Sequence, residues 1–235
     1  MHGPAELLPV SSSAHTALVP SLLRWRYREI DGATRKAFEV ALHAGTALTY
    51  PRSLRRPWLL AVAAAPAALA GFAFEQPIQR RLGGRRGMAA GLAAGATISL
   101  LAERRASGQR EARDARLADA VCVGLAQATA LVPGLSRSGM TIAAAQARGF
   151  HREAAWSLSR EVALPVVAGA AALKLARMRR RPIGAELRPA FAAGATAAAV
   201  GGALSRRLAT PRAALPFAIE RVALAIAALW QDRQR

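Results

Sequence analysis

The sequence predicts an all-α fold, a polytopic bundle of membrane helices, on three observations. Charged residues gather in blocks at 24–36, 52–56, 80–86, 103–116, 148–153, 174–181 and 206–212, and the stretches 58–74, 87–102, 120–136, 162–173 and 189–204 between them carry no charge. A soluble surface helix shows a polar face, which these stretches lack. Gly and Pro sit inside them, at Pro66, Gly71, Gly91, Gly95, Pro165, Gly169 and Gly194. Membrane helices tolerate both better than soluble ones do, and small residues four apart, such as Gly91 and Gly95, permit close helix contact in lipid. Strands are not expected: there is no period-two alternation, and Ala stands where Val, Ile and aromatics would.

Taken in order, the charge-free stretches are shorter than the roughly 20 residues a spanning helix needs. Arg at a helix end reaches the interface with its charge and lengthens such a span. The densest cationic clusters, 104–116 and 174–181, are expected in the cytoplasm. No cleavable leader is expected, because no charged stretch precedes an apolar one at the N-terminus. The whole chain, 1–235, reads as one integral membrane domain with half-repeats at about 1–103 and 117–235. The competing reading is a soluble Ala-rich bundle, since mean hydropathy is only +0.17.

Composition narrows the function classes. Of 235 residues, 53% are apolar and 20% charged, which excludes a disordered chain. Cys122 is alone, so there is no disulfide framework. The net charge of +19, carried by 31 Arg with Lys only at Lys36 and Lys174, asks for an anionic partner. Nucleic acid fits poorly: aromatics for base stacking make up 5% and no binding motif is present. Phospholipid headgroups or a phosphorylated ligand remain.

Two segments break the apolar pattern with polar residues. One runs Glu6-Leu-Leu-Pro-Val-Ser-Ser-Ser-Ala-His15, the other Leu131-Val-Pro-Gly-Leu-Ser-Arg-Ser-Gly-Met-Thr141. Pro9 and Pro133 end a helix, and the N–H groups that follow form an anion site at the next helix start. Taken singly, each is a capped helix start, for which Ser11, Ser12, Ser13, Ser136 and Ser138 are good caps. As a pair they point to broken helices in corresponding places of two halves, meeting at one site. The residues suit a diphosphate. Arg137 offers a permanently charged planar fork, and the five Ser hydroxyls and Thr141 offer hydrogen bonds. Glu6 suits a hard divalent cation or base catalysis. Ser12 or His15 is positioned by type to attack phosphorus, and Ser needs an adjacent base.

The segment 6–15 resembles the E-F-L-P-V-S-S-S-G-H motif of the bacterial undecaprenyl-diphosphate phosphatases, the bacitracin-resistance type. Residues 133–142, PGLSRSGMTI, are similar to their P-G-x-S-R-S-G-x-T motif. FEVALHAGT at 38–46, LLAER at 100–104 and REAA at 152–155 fall in the family's order. The resemblance implies a multi-pass inner-membrane protein with two re-entrant helix-loop-helix elements in an inverted repeat. It implies hydrolysis of undecaprenyl diphosphate to undecaprenyl phosphate and phosphate, with the active site facing outward. This recycles the lipid carrier for cell-wall synthesis and gives bacitracin resistance. It implies a divalent cation, Mg2+ or Ca2+, at Glu6, and leaves room for a homodimer. Carried over by motif position, Glu6, Ser12, His15 and Arg137 are the catalytic residues. Ser11, Ser13, Ser136, Ser138 and Thr141 are substrate-binding.

The sequence departs from the family pattern at three places. The resemblance implies Glu or Gln where His2 stands, and an apolar half-helix ahead of it. The expectation is a shortened or misassigned start, which puts the metal site in question. Arg160 and Glu161 replace apolar residues before Pro165, and such charges in hydrocarbon need to pair or face a cavity. Glu220 and Arg221 charge the final segment. A second membrane phosphatase class, the type-2 phosphatidic acid phosphatases, needs a His six residues beyond the Arg, and that position is Ala143. The alternative of another class is a non-catalytic or transporter-like protein that binds a phosphorylated lipid.

Overall fold

A computed structural model describes residues 1–50, 56–104, 108–178, 184, 187–208 and 211–233. Among these the chain is helical, with one isolated parallel bridge between Arg110 and Phe150 and no strand. Two short helices open it, α1 (His2–Leu7) and α2 (Ser12–Leu22). Three long ones follow: α3 (Gly32–Ala47), α4 (Pro57–Leu82) and α5 (Arg85–Arg104). The chain continues with α6 (Leu117–Thr129), α7 (Arg137–Ala147), α8 (Arg152–Met178), α9 (Arg188–Leu208) and α10 (Ala214–Arg233).

The charge-free stretches are only the middles of these helices. α4 extends through Arg80 and Arg81 to 26 residues, and α8 to 27. At 1.5 Å per residue, 26 residues reach about 39 Å, more than the hydrocarbon core. The stretch 120–136 instead holds most of α6, which ends at Thr129, and the connection to α7, where Pro133 is followed by Gly134 at φ +95. The cluster 174–181 lies largely outside the described residues.

Lipid, not water, is the solvent this bundle fits. α4 and α10 are long and apolar enough to cross a membrane, yet only 17% and 28% of their most apolar stretches are buried. A soluble core helix of that composition would be covered. Here Leu69, Phe72, Ile219, Ile226 and Trp230 face outward instead. Inside, helices approach through small residues. A side chain at Gly45 would strike the Ala195 carbonyl, and one at Gly91 the Pro133 carbonyl. The Arg160–Glu161 pair faces a cleft of about 340 Å³ lined also by Glu153, Ser157 and Arg206, which meets the requirement for charge in this segment. Arg160 also lies over the Trp156 ring at 5.5 Å.

One charged network locks the α6–α7 unit at its far end. Asp119, in the first turn of α6, is 1% exposed and accepts from Arg110 at 2.6 and 3.1 Å and from Arg148 at 2.7 Å. The Arg110 guanidinium stacks 4.2 Å from the Phe150 ring centre. Nearby, His151 pairs with Glu111 at 3.3 Å and Glu153 at 2.9 Å. Asp119→Asn removes one partner of a buried cluster, so it should destabilise the protein by about 3 kcal/mol, read as a lower Tm in detergent. The two carboxylates raise His151 above its ordinary value of 6.5. Their stabilisation is complete below that value and fades as pH climbs through the raised one. Tm should therefore fall as pH rises past 6.5 in the parent protein, and His151→Gln should flatten that slope.

Candidate active site

The two breaks have the same local construction. In the first, Ser11 caps α2 and its Oγ accepts from the Ala14 N–H at 3.4 Å. In the second, Ser136 caps α7 and accepts from the Gly139 N–H at 3.2 Å. Ser11 and Ser13 hydroxyls lie 3.1 Å apart, Ser136 and Ser138 3.2 Å apart. Thr16 donates back to the Ser12 carbonyl as Thr141 does to the Arg137 carbonyl, both at 3.0 Å. Two helices of eleven residues thus begin with the same hydrogen bonds.

Side chains of the second break cross to the backbone of the first. Arg137 Nη2 donates to the Glu6 carbonyl at 2.9 Å, and Ser138 Oγ donates to the Leu8 carbonyl at 2.6 Å. Tyr50, at the end of α3, joins them: its hydroxyl accepts from Arg137 Nη2 at 2.6 Å and donates to the Glu6 carbonyl at 3.4 Å. Arg137 Nε and Nη1 are buried with no protein partner. A guanidinium has five N–H donors, so three remain for an anion.

The two candidate nucleophiles have different neighbours. Ser12 Oγ donates to Glu6 Oε2 at 2.9 Å, so the serine has an adjacent base. His15 Nδ1 faces the Ser11 carbonyl at 2.7 Å and its Nε2 faces Glu220 Oε1 at 3.0 Å. With an acceptor at each nitrogen, this pairing is satisfied by a proton on both, which makes His15 a donor. Ser12, His15 and Arg137 are half-buried and Ser13 is exposed. Ser11, Ser136 and Thr141 are buried with their hydroxyls committed inside the protein. Thr141 Oγ1, for instance, contacts Ser159 Oγ of α8 at 2.7 Å.

Four residues outside the motifs belong to the same centre. Besides Tyr50, Glu220 holds His15, and Arg221 is fully buried behind α7. Arg221 Nη2 donates to Ser99 at 3.1 Å, while its Nε and Nη1 have no partner. Both Nη atoms would lie 3.3 Å from a Cβ added at Gly139, which places the guanidinium against the first turn of α7. The fourth is His43, whose Nε2 lies 3.5 Å from Glu6 Oε1. His2, Glu6 and His43 each offer one ligand atom, all within 4.8 Å of one another, so the donor set present fits a divalent cation. The His2 position therefore supplies a ligand-type nitrogen to this candidate donor set.

Two guanidiniums and two helix N-termini converge here, and the Arg nitrogens left over have no protein acceptor. Fold and site together define a helical membrane protein with an anion-seeking centre between two helix breaks. The family model of the bacitracin resistance protein BacA matches residues 48–227. Curated relatives named undecaprenyl-diphosphatase align over most of their length. That of Geobacter sulfurreducens is 37% identical over 92% of this chain and 89% of the relative. That of Moorella thermoacetica is 36% identical over 87% and 82%, and that of Trichlorobacter lovleyi 34% over 96% and 92%. The chain belongs to the BacA family.

Tyr50→Phe deletes the hydroxyl between Arg137 and the Glu6 carbonyl. It should lower stability by about 1–2 kcal/mol, measured as Tm in detergent, because Arg137 then loses an acceptor in a buried place.

Proposed function

We propose that this chain is a membrane phosphatase that hydrolyses undecaprenyl diphosphate to undecaprenyl phosphate and phosphate, and so returns the lipid carrier to cell-wall synthesis. The observation that carries this is the crossing of Arg137 and Ser138 onto the Glu6 and Leu8 carbonyls, which brings both motifs to one centre. In this reading the two breaks are re-entrant elements of an inverted repeat, supported by their matched capping bonds. The protein crosses the inner membrane several times, with the centre on the outer side. Bacitracin resistance goes with this activity, as the family's name indicates.

Each residue then has a task. The three spare donors of Arg137 hold phosphoryl oxygens and stabilise the charge that spreads over them as phosphorus is attacked. N–H groups at the starts of α2 and α7 add to this. Ser12 Oγ attacks the terminal phosphorus, and its proton passes to Glu6 Oε2. The bridging P–O bond breaks and its electron pair leaves with undecaprenyl phosphate, toward which His15 is a proton donor. Water then attacks the phosphoserine and gives its proton to His15, the Ser12 Oγ–P bond breaks with its electron pair on Ser12, which takes back the proton from Glu6, and phosphate departs. A divalent cation, Mg2+ or Ca2+ by family resemblance, would be held by Glu6 with His2 and His43, and when bound would neutralise phosphoryl charge.

Detergent-purified protein should release phosphate from undecaprenyl or farnesyl diphosphate. Arg137→Ala should slow this by about 10²–10³, the loss typical of one oxyanion donor. Ser12→Ala and Glu6→Gln should each cost on the order of 10²–10⁴. EDTA should stop release and added divalent metal restore it. Tight binding of the lipid without phosphate release, by parent protein and variants alike, would instead support a carrier or non-catalytic binder.

A further inference from the structure

The chemistry of the metal-binding residues goes beyond the reading just given, and rests on it only for the reaction served. The donors are two imidazoles and one carboxylate, from His2, His43 and Glu6. Oxygen-only sites suit Mg2+ and Ca2+, whereas imidazole suits Zn2+ and its neighbours. We infer that this site selects a borderline divalent ion of the Zn2+ and Co2+ class over Mg2+ and Ca2+.

Local hydrogen bonds set both rings for this. His43 Nδ1 lies 2.7 Å from the Glu39 carbonyl, which only accepts, so Nδ1 carries the hydrogen and Nε2 the lone pair. That lone pair faces Glu6 Oε1, itself an acceptor, at 3.5 Å. Two lone pairs so placed need a cation between them, a proton or a metal ion. Tetrahedral Zn2+ with ligands near 2.1 Å sets them about 3.4 Å apart, close to the spacing seen. His2 repeats the arrangement. Thr46 Oγ1 spends its only hydrogen on the Leu42 carbonyl at 3.0 Å, so across 3.3 Å His2 Nδ1 is the donor to Thr46. In the neutral ring the lone pair then falls on Nε2. Both rings thus carry the outer-shell hydrogen bond that orients metal-bound histidines. The His2 and His43 ring centres are 4.4 Å apart, edge to face.

Glu6 divides its oxygens between two partners: Oε1 faces His43 while Oε2 accepts from Ser12. Two histidines and one glutamate are also a ligand set that leaves a tetrahedral zinc one open position, as a catalytic ion requires.

The test is direct metal binding by the full-length protein in detergent. EDTA-stripped protein is dialysed against micromolar Co2+ or Zn2+ with a hundredfold excess of Mg2+, and bound metal is counted by mass spectrometry. Co2+ is also followed by its visible absorption. We expect one Co2+ or Zn2+ per chain, a visible band from a low-symmetry nitrogen-containing site, and loss of tenfold or more in affinity in both His2→Gln and His43→Gln. Displacement of the ion by Mg2+ or Ca2+ at equal concentration in the parent protein would overturn the inference, whatever the variants do. So would two monodisperse variants with unchanged Co2+ affinity. Phosphate release is measured on the same samples. Release with Mg2+ but no Co2+ selectivity would sink this inference and leave the phosphatase reading intact. Selective Co2+ binding without release under any metal would do the reverse.

Discussion

The guanidinium of Arg137 is the point on which the centre depends. A single nitrogen, Nη2, ties the second break to the Glu6 carbonyl and the Tyr50 hydroxyl, and Ser138 reinforces the junction one residue on. The other two nitrogens are buried with no protein acceptor. Buried donors without an acceptor cost free energy that is recovered when an anion arrives to accept from them. The side chain that assembles the site is therefore also one that keeps donors free for an anion. Glu6 completes the arrangement, since its backbone holds the arginine while its carboxylate faces Ser12 and His43.

Much of this was legible in the sequence because it is local. Ser11 and Ser136 cap helices within three residues of themselves, and the Pro at 9 and 133 marks each break, so the two motifs could be read as helix starts. Ser12 and Glu6 lie one short turn apart along the chain. The remaining members are held by tertiary contact. Tyr50 meets Arg137 across 87 positions, and Arg221 meets Ser99 across 122. No periodicity encodes such a pairing. Glu220 and Arg221 read as charges troubling an apolar segment, and only packing of α10 against α2 and α5 turns them into neighbours of His15 and α7. At His2 the sequence shows only a departure from the family pattern, and the nearness of His43, which comes to it from α3, is a tertiary contact of the same kind.

Helix lengths show a different limit. Apolar stretches of 12–17 residues look too short to span, yet α4 runs for 26 residues because helix propensity does not stop where hydrophobicity does. Arg and Ala are both good helix formers, so the charged blocks continue the helices they flank. In the α6–α7 unit the reverse holds: a hydrophobic stretch is interrupted where Gly134 adopts a left-handed backbone against α5. The far end of that unit is pinned by Asp119 between two arginines, so the break is held at both ends rather than free to straighten.

The matched construction of α2 and α7 has a consequence for how the centre is able to change. Each helix of this length carries roughly half a positive charge at its start, and both starts lie at the junction. Together they make about one unit of charge that belongs to the backbone. It has no proton to lose, so acidity in the surroundings does not alter it, and no substitution of a single side chain erases it while the two helices stand. Side chains at the junction are thus free to diverge in which ion they favour, while the attraction for a phosphoryl group is inherited with the fold.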